Sequence, residues 1–143
     1  MPLPPTRTLI EEATDRFLEY GVGAAQKGWV IIRSGELGAY VKNLEGPGKW
    51  VQAFWSYNSE DITRVVDVTG AGNSFLGGLA AGIILTNNVV KGIVATFYAS
   101  ISASFTIEQE GLPILSQNEE GHSVWNGDDP QRRLEALLTR EGS

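Results

Sequence analysis

A strand that runs into paired glycines, followed by a helix that is itself rich in glycine, constrains this chain more than any other feature. Arg64-Val65-Val66-Asp67 reads as a short strand. Val68-Thr69-Gly70-Ala71-Gly72-Asn73 follows it as a corner, and a helix is expected from about Asn73 to Leu85. Gly70 and Gly72 let the backbone turn tightly and approach a ligand. The first amides of a helix lack internal partners and carry positive partial charge, so such a corner suits a phosphate. A glycine-rich helix start without a ligand is the alternative that spacing leaves open. Gly77, Gly78 and Gly82 lie inside the helix. Each would cost roughly 1 kcal/mol relative to Ala if exposed, so the helix is expected to pack closely on a neighbour where side chains do not fit.

The chain has 143 residues, 17 of them glycine, against a usual share of about 7%. That length suffices for one domain with a core, taken as residues 1–143. Apolar residues at 42% and charged residues at 20% argue against whole-chain disorder. The net charge of −6 and the lack of basic clusters beyond Arg132-Arg133 speak against nucleic-acid binding. With no cysteine, a disulfide scaffold and a thiolate metal site are excluded. Met1–Tyr20 lacks the apolar stretch of a secretory signal, and Phe75–Leu85 is too short to span a bilayer. The expected setting is the cytoplasm, without a membrane contact.

Around the corner the pattern is mixed α/β. Met1–Pro5 reads as loose. Thr8 with Glu11 matches a capping box, opening a helix with Leu9, Ala13, Phe17 and Leu18 on one face and stopped by Gly21 and Gly23. Trp29–Ile32 is a continuous apolar run of the kind buried on both faces of a parallel sheet. Ser34–Gly38 is a turn, Ala39–Val41 a short strand, Asn43–Lys49 a loop, Trp50–Trp55 a further strand and Tyr57–Thr63 a surface loop. Asn87-Asn88 makes a turn before a long helix from about Val89 to Ile107, with Val90, Val94, Phe97, Ile101 and Phe105 on one face. Gly111-Leu112-Pro113 closes that unit, and Ser116–Gly127 reads as irregular. Asp129-Pro130 gives an N-cap and a first-turn proline for a last helix carrying Leu134, Leu137 and Leu138. The four tryptophans read as core or groove residues. His122 and the acidic runs Glu108-Gln109-Glu110 and Glu119-Glu120 read as solvated surface.

Asp67-Val68-Thr69-Gly70-Ala71-Gly72-Asn73-Ser74-Phe75-Leu76-Gly77-Gly78 resembles the signature of the PfkB family of carbohydrate kinases, which have the ribokinase-like fold. The family usually reads D-T-x-G-A-G-D, a small residue, Phe and a glycine-rich helix. Upstream, Val30–Ala39 is similar to its T-x-G-x-x-G strand and turn. Downstream, Ala99–Thr106, ending near Gly111, is similar to the segment beside the adenine and a monovalent-cation loop. Trp125-Asn126-Gly127 before Arg132-Arg133-Leu134 resembles a fungal branch of the family. The resemblance covers roughly Leu9–Arg140.

It implies a three-layer α/β fold, helices on both faces of a mostly parallel Rossmann-like sheet, cut short on the N-terminal side. It implies ATP with Mg²⁺, phosphoryl transfer to a sugar or other alcohol, and a monovalent cation such as K⁺. Gly70, Ala71 and Gly72 would form the anion hole. Ser34, Gly35, Glu36, Gly38, Thr106 and Gly111 would belong to the ATP region, and Asp67 and Thr69 would hold the corner and reach the cation. The residues alone leave Asp67 open as a strand-end residue and Ser34–Gly38 as a plain hairpin turn.

Two departures bear on activity. Asn73 stands where the family carries its aspartate general base. An amide does not accept a proton near neutral pH, so Asn73 is left to orient a hydroxyl or to act as an N-cap. The chain also corresponds to the nucleotide-binding half alone, so the sugar contacts and several sheet strands would come from elsewhere, for example another chain. An active kinase, a nucleotide-binding pseudokinase or assembly protein, and a non-functional fragment all remain open from sequence.

Overall fold

The computed structural model describes residues 6–56, 60–86 and 92–141. The expectations for Met1–Pro5, the start of the Tyr57–Thr63 loop, the Asn87-Asn88 turn and the first residues of the long helix lie outside the described residues. The elements are α1 (Arg7–Tyr20), β1 (Val30–Arg33), β2 (Ala39–Lys42), β3 (Lys49–Val51), α2 (Ala71–Leu85), α3 (Gly92–Thr106), β4 (Leu115–Gln117), β5 (Ser123–Trp125) and α4 (Pro130–Glu141).

The chain is mixed α/β, but the strands expected to be parallel are not. β1, β2 and β3 form an antiparallel meander, with Val30 opposite Lys42, Arg33 opposite Ala39 and Ala39 opposite Val51. Loop length explains the correction. A parallel crossover needs a dozen or more residues, whereas only Ser34–Gly38 separates β1 from β2. Beyond Val51 the expected strand stops, and Phe54 turns into the core. Arg64–Asp67 is not a strand either. After a 3₁₀ turn at Ile62–Arg64 the amides of Val66 and Asp67 both donate to the Ile107 carbonyl, at 2.8 and 3.2 Å. That carbonyl anchors the chain where no ladder partner exists among the described residues. Conversely, the stretch read as irregular holds the β4–β5 hairpin. Its strands are three residues each, too short to show a period, and the Asn118 side chain accepts from the amides of Glu120 and His122 to hold the turn.

Helix ends shift for identifiable reasons. α1 is capped by Thr6, which accepts from the Leu9 amide at 3.3 Å, so Thr8 lies inside the helix. Glu11 accepts from Trp50 Nε1 at 2.7 Å instead of reaching back. The buried stripe is Ile10, Thr14 and Leu18, while Leu9 and Phe17 are exposed. Asp129 caps α4 as expected, accepting from the Gln131 amide at 2.9 Å with Pro130 first in the helix. The inward face of α4 is Arg133, Leu134 and Leu137; Leu138 faces out.

α3 is the central element. Phe97, Ile101 and Phe105 pack with Val41 and Val51 of the sheet, with Phe54, and with Leu134 and Leu137 of α4. On its other side α3 meets α2 almost backbone to backbone. A Cβ on Gly78 would lie 2.6 Å from Ser102 Cβ and 2.7 Å from the Tyr98 carbonyl oxygen, and one on Gly82 would lie 3.0 Å from Ala95 Cα. Ser74 Oγ bridges the pair, 3.0 Å from the Ser102 carbonyl and 2.9 Å from its hydroxyl. The glycine count inside α2 is thus explained by contact, except at Gly77, where a Cβ would meet nothing within 4 Å.

α4 is fixed by a buried cation. Arg133 is 2% exposed, with its guanidinium carbon 3.7 Å from the centre of the Phe105 ring. It donates to Glu108 at 3.0 Å, to Asp128 at 2.7 Å and to Ser104 Oγ at 3.0 Å. Burial alone would raise the Asp128 carboxyl; the hydrogen bonds and charges of Arg132 and Arg133 outweigh it and hold the group at about 2.

Gly78→Ala is expected to destabilise the fold by about 1–3 kcal/mol through overpacking, whereas Gly77→Ala stabilises it by up to ~1 kcal/mol. Paired urea melts check the contrast. Because the folded-state pKa of Asp128 is depressed from 3.8 to about 2, its stabilisation is present above the unfolded value and is lost as pH falls from about 4 to 2. The contribution is on the order of 2 kcal/mol. Asp128→Asn should flatten that part of an acid-unfolding curve; an unchanged curve would mean that the ion pairs contribute nothing.

Candidate functional site

The corner at the head of α2 is held by its own backbone. Asp67 Oδ1 accepts from the Thr69 amide at 2.9 Å, and this bond lowers the Asp67 carboxyl below its ordinary value. Gly70 then adopts a left-handed conformation (φ 85°, ψ −10°) as N-cap of α2. Its carbonyl accepts from the Ser74 amide at 3.0 Å, and the Ala71 amide donates to Val68 at 3.2 Å. A glycine N-cap offers no side chain to the next amides, and those of Gly72 and Asn73 have no acceptor among the described residues. Asn73 lies three residues into the helix and is exposed, so it is not the N-cap; α2 starts two residues earlier than the sequence suggested.

The Ser34–Gly38 turn faces this corner. Gly35 and Gly38 both have positive φ, 56° and 87°, and the Ser34 amide donates to the Gly38 carbonyl at 2.7 Å. Gly38 admits no side chain, because a Cβ there would run into the Val51 carbonyl. Between turn and helix lies a cavity of about 390 Å³. Arg33, Gly35, Glu36 and Gly38 line one side and Ala71 and Gly72 the other, with Phe54 and Trp55 as a wall. Ser34 does not line it; its hydroxyl is directed at the Ile32 carbonyl, 3.5 Å away.

A larger groove of about 1120 Å³ opens on the other flank of the corner. Asp67, Thr69, Gly70 and Asn73 line it together with Thr106 and Gly111. A Cβ on Gly70 would lie 3.5 Å from Thr106 Cγ2, so the end of α3 reaches the corner directly. The structure therefore divides the candidate residues into two groups that meet at Gly70–Gly72.

A volume of about 390 Å³ falls within the usual range of small-molecule pockets, and the space beside the bare Cα of Gly72 is taken by the Arg33 guanidinium. Asp67 and Asp129 are the carboxylates that line the groove, and no group of three or more His, Cys, Asp or Glu among the described residues could hold a metal ion. His122 is exposed, with Glu120 3.7 Å away.

Three features escaped the reading by pattern. Arg33 lines the cavity although the turn motif drew attention to the residues after it. Trp55, expected as a core or groove residue, walls the cavity; what pattern did not show is that its Nε1 is buried with no acceptor among the described residues. Asn126 and Arg133, part of the tail pattern, converge on the end of α3: Asn126 Nδ2 donates towards the Phe105 carbonyl and Glu108, at 3.1 and 3.0 Å, and Arg133 pairs with Glu108. A conspicuous Arg-Arg pair after an Asp-Asp pair was the available signal; only the fold tells which arginine turns inward.

Comparison with known proteins agrees with this geometry. Residues 8–118 match the profile of the pfkB family of carbohydrate kinases. An uncharacterized protein of Schizosaccharomyces pombe is 30% identical over 152 residues, covering 96% of this chain and 41% of its own length. Protein MAK32 of Saccharomyces cerevisiae is 34% identical over 113 residues, covering 78% of this chain and 30% of its own. The chain spans less than half the length of these curated relatives. A glycine corner at the head of a glycine-packed helix, a facing glycine turn and a family match over most of the sequence together place this chain in the pfkB family of carbohydrate kinases.

Proposed function

We propose that this chain binds ATP or ADP with Mg²⁺, as its family generally does, with the phosphates at the head of α2. The supporting observation is the cavity in which the Gly35–Gly38 turn faces Ala71 and Gly72. Helix amides without a cap attract an anion, and phosphoryl transfer depends on positioned donors of this kind. Gly70, Ala71 and Gly72 serve as the anion hole. Gly35, Glu36 and Gly38 flank the polyphosphate, with Ser34 shaping the turn. Thr106 and Gly111 contribute from the larger groove on the far side of Gly70. Mg²⁺ is held largely by the phosphates. Asp67 and Thr69 offer oxygens to a monovalent cation such as K⁺ beside the corner.

The reaction class is phosphoryl transfer to a sugar or other alcohol. Asn73 favours a second reading, a nucleotide-binding protein that does not turn over. It is exposed at the corner and lines the groove, the position from which a base would take a hydroxyl proton, and it is an amide. A general base typically contributes about 10²–10⁴-fold. The acceptor pocket and the rest of a three-layer sheet would come from polypeptide corresponding to the part of the relatives that this chain does not span. The outward face of α2 is suited to that role. Leu76, Ile84 and Leu85 are exposed on a helix with almost no polar residues, and a helix that is apolar all round is normally buried. Among the described residues no helix is long and apolar enough to cross a membrane.

ADP with Mg²⁺ at 100 times its dissociation constant should stabilise the chain by about 2.7 kcal/mol, read as a rise of several degrees in the melting temperature. No shift with ATP, ADP or their Mg²⁺ complexes would contradict the nucleotide site. In a phosphate-transfer assay over a panel of sugars the chain alone should stay at the buffer rate. Turnover at the roughly 1–100 s⁻¹ of ordinary kinases would overturn the assignment of Asn73 as a non-base.

A further inference from the structure

We propose that Arg33 is a phosphate-contacting residue of this chain, supplying to the bound polyphosphate a full positive charge that the glycine corner lacks. The inference rests on the nucleotide reading above and adds one residue to it.

Arg33 ends β1, at the mouth of the turn, and lines the same cavity as Ala71 and Gly72. It is an exposed side chain, yet it lies against the head of α2. A Cβ on Gly72 would collide with Arg33 Nη1 and stand 3.2 Å from its Cζ, so glycine at position 72 makes room for the guanidinium. The Arg33 Cζ lies 5.8 Å from the centre of the Phe75 ring, a distance at which the ring face attracts a cation and steadies it. Phe75, on α2, is itself buried against Ala39 of β2 and Ala99 of α3, so this support is rigid.

The electrostatics of the position are unfavourable without an anion. The head of a helix carries positive partial charge and repels a cation. Glu36 lines the same cavity but forms no ion pair with Arg33, and none of the ion pairs among the described residues involves it. The buried arginine, Arg133, is by contrast matched to two carboxylates. An arginine held beside uncapped helix amides with no carboxylate partner is complementary to a group with several charged oxygens. A guanidinium presents two parallel N–H donors to such a group, which a lysine does not.

Calorimetric titration of the purified full chain with ADP, adenosine and pyrophosphate, for the wild type, Arg33→Thr and Arg33→Lys, tests the role. Arg33→Thr should weaken ADP and pyrophosphate at least 10-fold, leave adenosine within twofold, and leave the ligand-free melting temperature in place. Arg33→Lys should recover part of the loss, because it keeps the charge but not the fork. ADP affinity of the wild type should fall more steeply with NaCl than that of Arg33→Thr. Equal ADP affinity in wild type and Arg33→Thr would overturn the inference and leave the nucleotide site standing. An equal loss of adenosine and ADP would make Arg33 a structural residue and also overturn it. A wild type that binds neither ADP nor pyrophosphate would remove the nucleotide site, and this role with it.

Discussion

The closeness of α2 and α3 governs the rest of this structure. At Gly78 and Gly82 α2 has no side chain of its own, so Ser102, Tyr98 and Ala95 of α3 come against its backbone, and Ser74 locks the first turn of α2 to Ser102. That contact fixes where α2 begins. The left-handed Gly70 and the bare Gly72 are then presented to the Ser34–Gly38 turn across a small cavity. Apolar packing alone would not achieve this, because larger residues at 78 and 82 would push α2 away from α3 and open the corner.

α3 carries this arrangement to the other elements. Its inner face binds the antiparallel meander through Phe97, Ile101 and Phe105, and its end is clamped by Arg133 and Asn126. Ser104, which lines the cavity, accepts a hydrogen bond from Arg133, so the C-terminal helix is coupled to the cavity wall. A buried ion network of this kind is a weak source of net stability, because desolvation opposes the attraction. Its evident consequence is geometric: α4 docks in one orientation. Two cations thus have opposite settings, Arg133 neutralised within the fold and Arg33 left facing the cavity.

Much of the candidate site was legible in the sequence because its chemistry is local. Gly70 and Gly72 stood out from spacing, and Gly35 and Gly38 from the family resemblance, since positive φ and close approach are properties of single residues. Asp129-Pro130 marked the start of α4 for the same reason. What failed was non-local. The apolar run at Trp29–Ile32 looked the same for a parallel or an antiparallel partner, and the five-residue turn that decides the matter was read only as a turn. The Thr8–Glu11 spacing pointed to Thr8 as the cap of α1, whereas Thr6 caps it, with Glu11 engaged by Trp50. Asn73 looked like an N-cap because the helix was started two residues late. Arg33 and Arg133 carried no periodic signal, and their roles depend on elements distant in sequence.

Backbone amide spectra recorded during ADP titration examine the corner most directly. If phosphates bind at the head of α2, the amide resonances of Gly72 and Asn73 shift most, those of Gly35–Gly38 shift with them, and adenosine alone leaves the Gly72 resonance in place. Shifts confined to other parts of the chain, or equal responses to ADP and adenosine at Gly72, would contradict a phosphate cradle there.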